Sequence, residues 1–268
     1  MTSIILVLTL ITSTYGCGTP PIEPDVPRVV NGVDARPHSW PWQISLQIEH
    51  NGYSTHTCGG SLIATNWVLT AAHCINMTLN YLVFVGKHDL RVSEPNTKAI
   101  WPAKIIVHEQ WTNSVSEGND IAMIKLSEHV SLTNQVQLAC VPAPNTILPD
   151  NYPCYITGWG RLYTGGPSPP TLQQALLPIV DHDICSQSNW WGNGIRRSMV
   201  CAGGGVVAGC NGDSGGPLNC KNWRTGVWEV RGIASFVSPR ACNFPMKPTV
   251  FTRVSNFNEW IHKTMMNN

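Results

Sequence analysis

Short β-rich apolar runs recur along this chain between turn-forming residues, and one of them alternates apolar and polar residues with period two. Residues 43–48 are that run, with Ile44, Leu46 and Ile48 on a common face. Residues 81–85, 104–107 and 121–126 follow as strand candidates. A proline-rich stretch, 141–153, then precedes a second set at 155–157, 175–180, 227–230, 233–236 and 250–252. The pattern predicts an all-β protein of two antiparallel barrels, about 29–140 and 154–252, joined by that linker. Only the C-terminal segment changes period. Phe257, Trp260, Ile261 and Met265 fall on one helical face with Ser255 available as a cap, so a helix packed on the second barrel is expected there.

Composition narrows the class. A chain of 268 residues is long enough to bury a core without a metal. Charged residues make up only 12% of it, which excludes a disordered or coiled-coil reading. A formal net charge of +1, with no run of lysines or arginines, argues against nucleic acid as a partner. The apolar run that ends at Ile11 is shorter than the roughly 20 residues a membrane span needs. It reads as a secretory signal cleaved after Gly16, and no later segment has the length of a span, so a secreted protein without a membrane anchor is expected. Residues 17–28 are proline-rich, unsuited to helix or central strand, and read as an activation peptide ending at Arg28. Ten cysteines fit an oxidising compartment. None lies in a Cys-x-x-Cys arrangement, which weakens zinc and redox readings. Their pairing is open from the sequence alone.

Three stretches carry chemistry. A serine hydroxyl needs a base beside it and donors aimed at the oxyanion it creates. In Gly212-Asp213-Ser214-Gly215-Gly216-Pro217 the glycines let the backbone turn tightly around Ser214. Thr70-Ala71-Ala72-His73-Cys74 offers an imidazole base. Asn119-Asp120-Ile121-Ala122-Met123-Ile124 sets a carboxylate at the head of an apolar run, where it can be buried against that imidazole.

In the order His73, Asp120, Ser214, these stretches resemble the serine proteases of the chymotrypsin family. The resemblance runs from about residue 17 to the C-terminus. It implies two six-stranded antiparallel barrels of the chymotrypsin type with a C-terminal α-helix. It implies Ser214 as nucleophile, His73 as base, Asp120 as its orienting partner, and the N–H groups of Gly212 and Ser214 as the oxyanion hole. Activation by cleavage of Arg28–Val29 is implied too, with the new Val29 ammonium pairing with Asp213. Five disulfides are implied: Cys17–Cys140, Cys58–Cys74, Cys154–Cys220, Cys185–Cys201 and Cys210–Cys242. The implied partners are protein and peptide substrates, an activating trypsin-like protease and protein protease inhibitors, with the enzyme a monomer.

Within the family the chain is similar to the pancreatic elastases, in particular the elastase 3 or protease E branch. The matching residues are Val29-Val-Asn-Gly32, Ser39-Trp-Pro-Trp-Gln43, Tyr155-Ile-Thr-Gly-Trp-Gly-Arg-Leu-Tyr163, Trp190-Trp-Gly192 and Lys247-Pro-Thr-Val-Phe-Thr-Arg-Val-Ser255. Chymotrypsin C shares Ala35-Arg-Pro-His-Ser-Trp-Pro-Trp42, which keeps a protease cleaving after Leu or larger apolar residues as an alternative. The resemblance places Ala208 at the base of the primary pocket, with Ser235, Val237 and Thr249 around it. Ala208 brings no charge for a Lys or Arg side chain, and Val237 with Thr249 narrows the slot an aromatic ring needs. Cleavage after small or medium aliphatic residues is therefore expected.

Other classes fit less well. A protease-fold binding protein without catalysis would lack the base or the nucleophile, and both are present. A metal hydrolase would need a His-Glu-x-x-His arrangement, which is absent from the sequence. A phosphate cradle at Gly212–Gly215 would need a following helix and P-loop lysine. Related proteases hold calcium near residues 85–89, but Lys87 stands where a carboxylate is wanted. No metal and no cofactor is expected. Asn76-Met77-Thr78 is a glycosylation sequon. The other eight histidines read as structural or solvent-exposed.

Overall fold

Two curled antiparallel sheets carry the fold in this computed structural model, which describes residues 16–26 and 32–268. Strand β1 (Val33–Asp34) is followed by β2 (Gln43–His50), β3 (Tyr53–Ala64), β4 (Trp67–Thr70), β5 (Asn80–Val85), β6 (Lys98–Ile100), β7 (Pro102–Val107) and β8 (Ala122–Leu126). All but β1 form the first sheet, in the order β6-β5-β2-β3-β4-β8-β7. After the linker come β9 (Cys154–Gly158), β10 (Gln173–Leu176), β11 (Ile179–Val180), β12 (Met199–Ala202), β13 (Pro217–Lys221), β14 (Trp228–Phe236) and β15 (Thr249–Arg253). The second sheet runs β1-β10-β9-β13-β14-β15-β12-β11. Each sheet is thus six main strands with edge strands of two or three residues added: β6 in the first, β1 and β11 in the second. This is the chymotrypsin-type fold.

Several boundaries differ from those the sequence runs predict. The run at 175–180 is two strands, because Pro178 lies between them and has no N–H for a ladder. The runs at 227–230 and 233–236 are one strand, β14. Strand β1 pairs with β10 through Val33–Gln174 and Asp34–Gln173, so the beginning of the first half belongs to the second sheet. β3, twelve residues long, was not anticipated, since its polar start and Gly59-Gly60 hide the alternation. Gly60 packs within the first sheet, where a Cβ would lie 3.0 Å from Ile44 and the Leu69 carbonyl, and Gly59 serves the interface between the halves. A Cβ on Gly59 would lie 2.9 Å from the Gly216 Cα.

The core runs between the two sheets, with Trp40, Trp42, Leu62, Ile121 and Trp228 all buried in one cluster. Several polar groups buried at this junction are paired across it. Trp42 Nε1 donates to Asn219 Oδ1 at 2.8 Å, and Thr157 Oγ1 donates to Gln43 Oε1 at 2.7 Å. Pairing of this kind avoids the 1–3 kcal/mol or so that a buried unsatisfied group costs. The five disulfides join Cys17–Cys140, Cys58–Cys74, Cys154–Cys220, Cys185–Cys201 and Cys210–Cys242, the pairs the resemblance implies. Beyond the Cys17–Cys140 bond, Gly18 N–H donates to Leu138 O at 2.7 Å and Trp228 N–H to Gly18 O at 2.8 Å, while Pro20 and Pro24 are buried.

A short helix α1 (His182–Cys185) lies between β11 and β12, and α2 (Asn258–Asn267) ends the chain. Helix α2 corrects two expectations. It packs against the first half: Trp260 Nε1 donates to Glu109 Oε2 at 2.8 Å, and the His108 ring lies 5.3 Å from Phe257 and 5.0 Å from Trp260. Ser255 does not cap it. The 3-10 turn Val254–Asn256 carries Ser255 toward the linker, where its hydroxyl donates to Thr146 O at 2.8 Å.

Candidate active site

The imidazole and the carboxylate singled out in the sequence meet at the end of the first sheet. His73 sits in the 3-10 turn Ala72–Cys74 just beyond β4, held by the Cys58–Cys74 bond to β3. Asp120 immediately precedes the buried run that leads into β8 and is itself buried. Its Oδ2 accepts from His73 Nδ1 at 2.7 Å and its Oδ1 from the His73 backbone N–H at 2.9 Å. The second sheet supplies two more bonds. Ser235 Oγ, on β14, donates to Asp120 Oδ2 at 2.5 Å, and Thr252 Oγ1, on β15, donates to the Asp120 carbonyl at 2.7 Å. A buried carboxylate so surrounded by donors has a fixed orientation, which in turn fixes the imidazole tautomer with its proton on Nδ1.

Ser214 comes from the second half, in the loop before β13. Gly212 has φ +104° and Gly215 has φ +74°, both in the region that favours glycine. A Cβ on Gly215 would lie 2.3 Å from Thr70 Oγ1 and 3.2 Å from Cys74 Sγ. The serine loop is therefore seated against the His73 turn, and Gly59 N–H fastens it by donating to Ser214 O at 2.7 Å. Among the described residues the N–H groups of Gly212 and Ser214 make no hydrogen bond. Two neighbouring N–H donors of the serine loop are thus left without a partner.

One histidine that the sequence reading set aside belongs to this arrangement. His56, on β3, faces the carbonyl of Gly212 with its Nε2 at 3.1 Å and Ser45 Oγ with its Nδ1 at 2.8 Å. Burial lowers its pKa, with the Gly212 carbonyl opposing, so at neutral pH it is uncharged and donates from Nε2. It holds the Gly212–Asp213 peptide, whose N–H donates to Cys210 O at 3.0 Å. No local motif marks this role.

Residues 29–261 match the trypsin domain family. The chain belongs to the trypsin family of serine endopeptidases. It is 54% identical over 263 residues to chymotrypsin-like elastase family member 3B of Homo sapiens, covering 97% of this chain and 96% of that one. It is 55% identical over 244 residues to proproteinase E of Bos taurus (90% and 96% covered) and 52% identical over 268 residues to chymotrypsin-C of Bos taurus (99% of each).

In this trypsin-family enzyme a pocket of about 330 Å³ opens beside Ser214, lined among others by Gly209, Ser235, Val237 and Thr249 and by the Cys210–Cys242 bridge. Thr249 Oγ1 accepts from Gly209 N–H at 2.9 Å, so its side chain is tied to the floor. Asp213 is the one ionisable residue in the lining. Two expected pocket residues stand differently. Ala208 lines a neighbouring cavity of about 300 Å³ instead, since the pocket lining begins one residue later, at Gly209. Ser235 lines the pocket, but its hydroxyl is committed to Asp120.

Asp213 also faces the neighbouring cavity. Its Oδ1 accepts from Gly160 N–H at 2.9 Å and its Oδ2 from Cys210 N–H at 2.8 Å. Burial pushes its pKa up to about 6, with these two bonds opposing. Gly158 and Gly160 make room for it, since a Cβ on either would come within 2.3 Å of the carboxyl group. Arg28 and Val29 lie outside the described residues; Gly32, three residues beyond Val29, lines this same cavity.

No metal site is built from these residues. The one group of candidate ligands among the described residues is Cys58, His73 and Cys74, and its two sulfurs are bonded to each other, leaving no thiolate. In the loop at 87–94, Lys87 Nζ donates to the carbonyls of Asp89 and Val92, so an ammonium engages the oxygens a cation would use. No described helix is long and apolar enough to cross a membrane.

Proposed function

We propose that the chain is a secreted, monomeric, elastase-like digestive protease, made as a zymogen and cleaving after small or medium aliphatic residues. Ser214 attacks the scissile carbonyl while His73 takes its proton and passes it to the leaving amine; water then releases the acyl group by the reverse path. Asp120 stabilises the imidazolium, and the N–H groups of Gly212 and Ser214 receive the oxyanion.

The observation that carries the specificity is the pocket beside Ser214, uncharged apart from an Asp213 already occupied by two N–H donors. Val237 and Thr249 narrow it. Nothing there matches a Lys or Arg side chain. The names of the elastase and proteinase E relatives agree with this reading. Comparing kcat/KM for peptide amides ending in Ala, Val, Leu, Phe and Lys tests it. Ala and Val should lead, with graded losses of about 1–3 kcal/mol per mismatched methylene. Preference for Leu over both would favour a chymotrypsin C-like enzyme, and preference for Phe or Lys would refute the elastase reading.

The zymogen step rests on the second cavity. Cleavage of Arg28–Val29 by a trypsin-like protease frees an ammonium three residues before Gly32, within a reach of about 10 Å. Pairing there relieves the cost of a buried carboxylate at Asp213 and raises the pKa of the ammonium above its ordinary value near 8. Active conformation is then lost as pH rises through that raised value. The Cys17–Cys140 bond keeps the cleaved peptide attached until reduction.

A further inference from the structure

Asn76-Met77-Thr78 is the only Asn-x-Ser/Thr triplet in the chain, and it opens onto an unexplained apolar groove. The groove, of about 220 Å³, runs between β5 and β7 and is lined by Met77, Leu79, Tyr81, Trp101, Pro102 and Lys104 among others. Met77 is 71% exposed, Trp101 50% and Leu79 40%. Large side chains left this open at one spot are costly unless something covers them.

Asn76 is exposed and directly precedes Met77, which lines the groove. Its backbone N–H donates to the hydroxyl of Tyr81, which lines the groove, at 2.8 Å. Its Oδ1 accepts from Thr78 N–H at 3.0 Å and from Thr78 Oγ1 at 2.8 Å. Leu79 N–H donates to Asn76 O at 3.0 Å and closes the turn. With both bonds falling on Oδ1, the amide nitrogen Nδ2 has no partner among the described residues. These bonds span no more than five residues, so they need no long-range pairing to form. The hydroxyl of Thr78 polarises the amide from which Nδ2 must react.

We propose that Asn76 carries an N-linked oligosaccharide whose first sugar lies over the Met77–Trp101 groove. The inference rests on the reading of the chain as secreted. The co-reactant is a lipid-pyrophosphate-linked oligosaccharide presented in the secretory lumen. Nδ2 bonds to the anomeric carbon, the bond from that carbon to the pyrophosphate oxygen breaks, and the amide loses one proton as the lipid pyrophosphate leaves. The attachment point adjoins two groove residues, Met77 in sequence and Tyr81 through its hydrogen bond, so the apolar face of the sugar covers Trp101 and Met77. Its hydroxyls remain in water, with Lys104 at the edge of the same groove.

The full chain is expressed in a eukaryotic secretory host twice, with its own leader and with residues 1–16 replaced by an established one. Treatment of the product with a glycan-releasing amidase should remove the mass of one oligosaccharide and convert Asn76 to Asp. Thr78→Ala and Asn76→Gln should each abolish that shift. Hydroxyl-radical labelling of Met77 and Trp101 should be several-fold lower in the glycosylated protein than in either variant. It should stay low after trimming to the first sugar. Glycosylation only with the replacement leader supports the proposal while refuting secretion by the native leader. Secreted protein with Asn76 unmodified overturns the proposal with secretion intact. Equal labelling of Met77 and Trp101 with and without the sugar overturns the placement over the groove.

Discussion

The two cavities on either side of the serine loop are almost equal in volume, about 330 and 300 Å³, and differ in what they present. The first is walled by Val237, Thr249 and a disulfide and opens beside Ser214. The second is lined by glycines and Ala208 and receives the carboxylate of Asp213. Ile156, Cys210, Asp213 and Cys242 line both. A common wall joins the two, and within it Asp213 accepts from the N–H groups of Gly160 and Cys210. On the proposed zymogen reading, occupancy of the second cavity governs the chemistry at the first.

Removing the loop's reactive atom has the largest effect. Ser214→Ala should lower kcat on the order of 10⁶ while the protein remains folded, measured on peptide amides after activation. Both cavities should survive in that variant. Residual turnover above about a thousandth of wild type would place the nucleophile elsewhere.

Asp213→Asn breaks the wall from the other side. The cleaved variant keeps its triad but loses the charge that receives the new ammonium. A misdirected oxyanion hole should then cost about 10²–10³ in kcat. Full activity would mean that the two cavities are not coupled. By contrast, Val237→Gly should change the first cavity alone. The ratio of kcat/KM for Phe over Ala substrates should rise by roughly 10–200-fold, with the rate of serine labelling by a phosphonate unchanged.

The smallest effect is on stability. Before cleavage, Asp213 holds its proton more tightly in the folded state, to about pH 6, than in the unfolded chain. Between the ordinary carboxylate range and about pH 6 the folded state binds the extra proton, so this group's contribution to stability falls as pH rises. Urea unfolding of the uncleaved protein across that window should show the decline. Asp213→Asn should flatten it. A decline of equal slope in the variant would assign the titration to another group.

Much of the catalytic centre was legible because its signals are local. Glycines flank Ser214, a disulfide-bonding cysteine follows His73, and an apolar strand follows Asp120, each within a few residues of the group it positions. Apolar β-rich runs marked most strands because burial selects such residues directly, and alternation marked β2. What depended on distant partners was not legible. His56 meets Gly212 across 156 positions of sequence, and Ser235 meets Asp120 across 115. The period of α2 defined its apolar face but not that His108 and Glu109 of the first half would cover it. Likewise Ala208 and Gly209 are neighbours in sequence, yet a wall one residue thick assigns them to different cavities. Local chemistry selects the residues that react, and chain packing alone decides which surfaces they face.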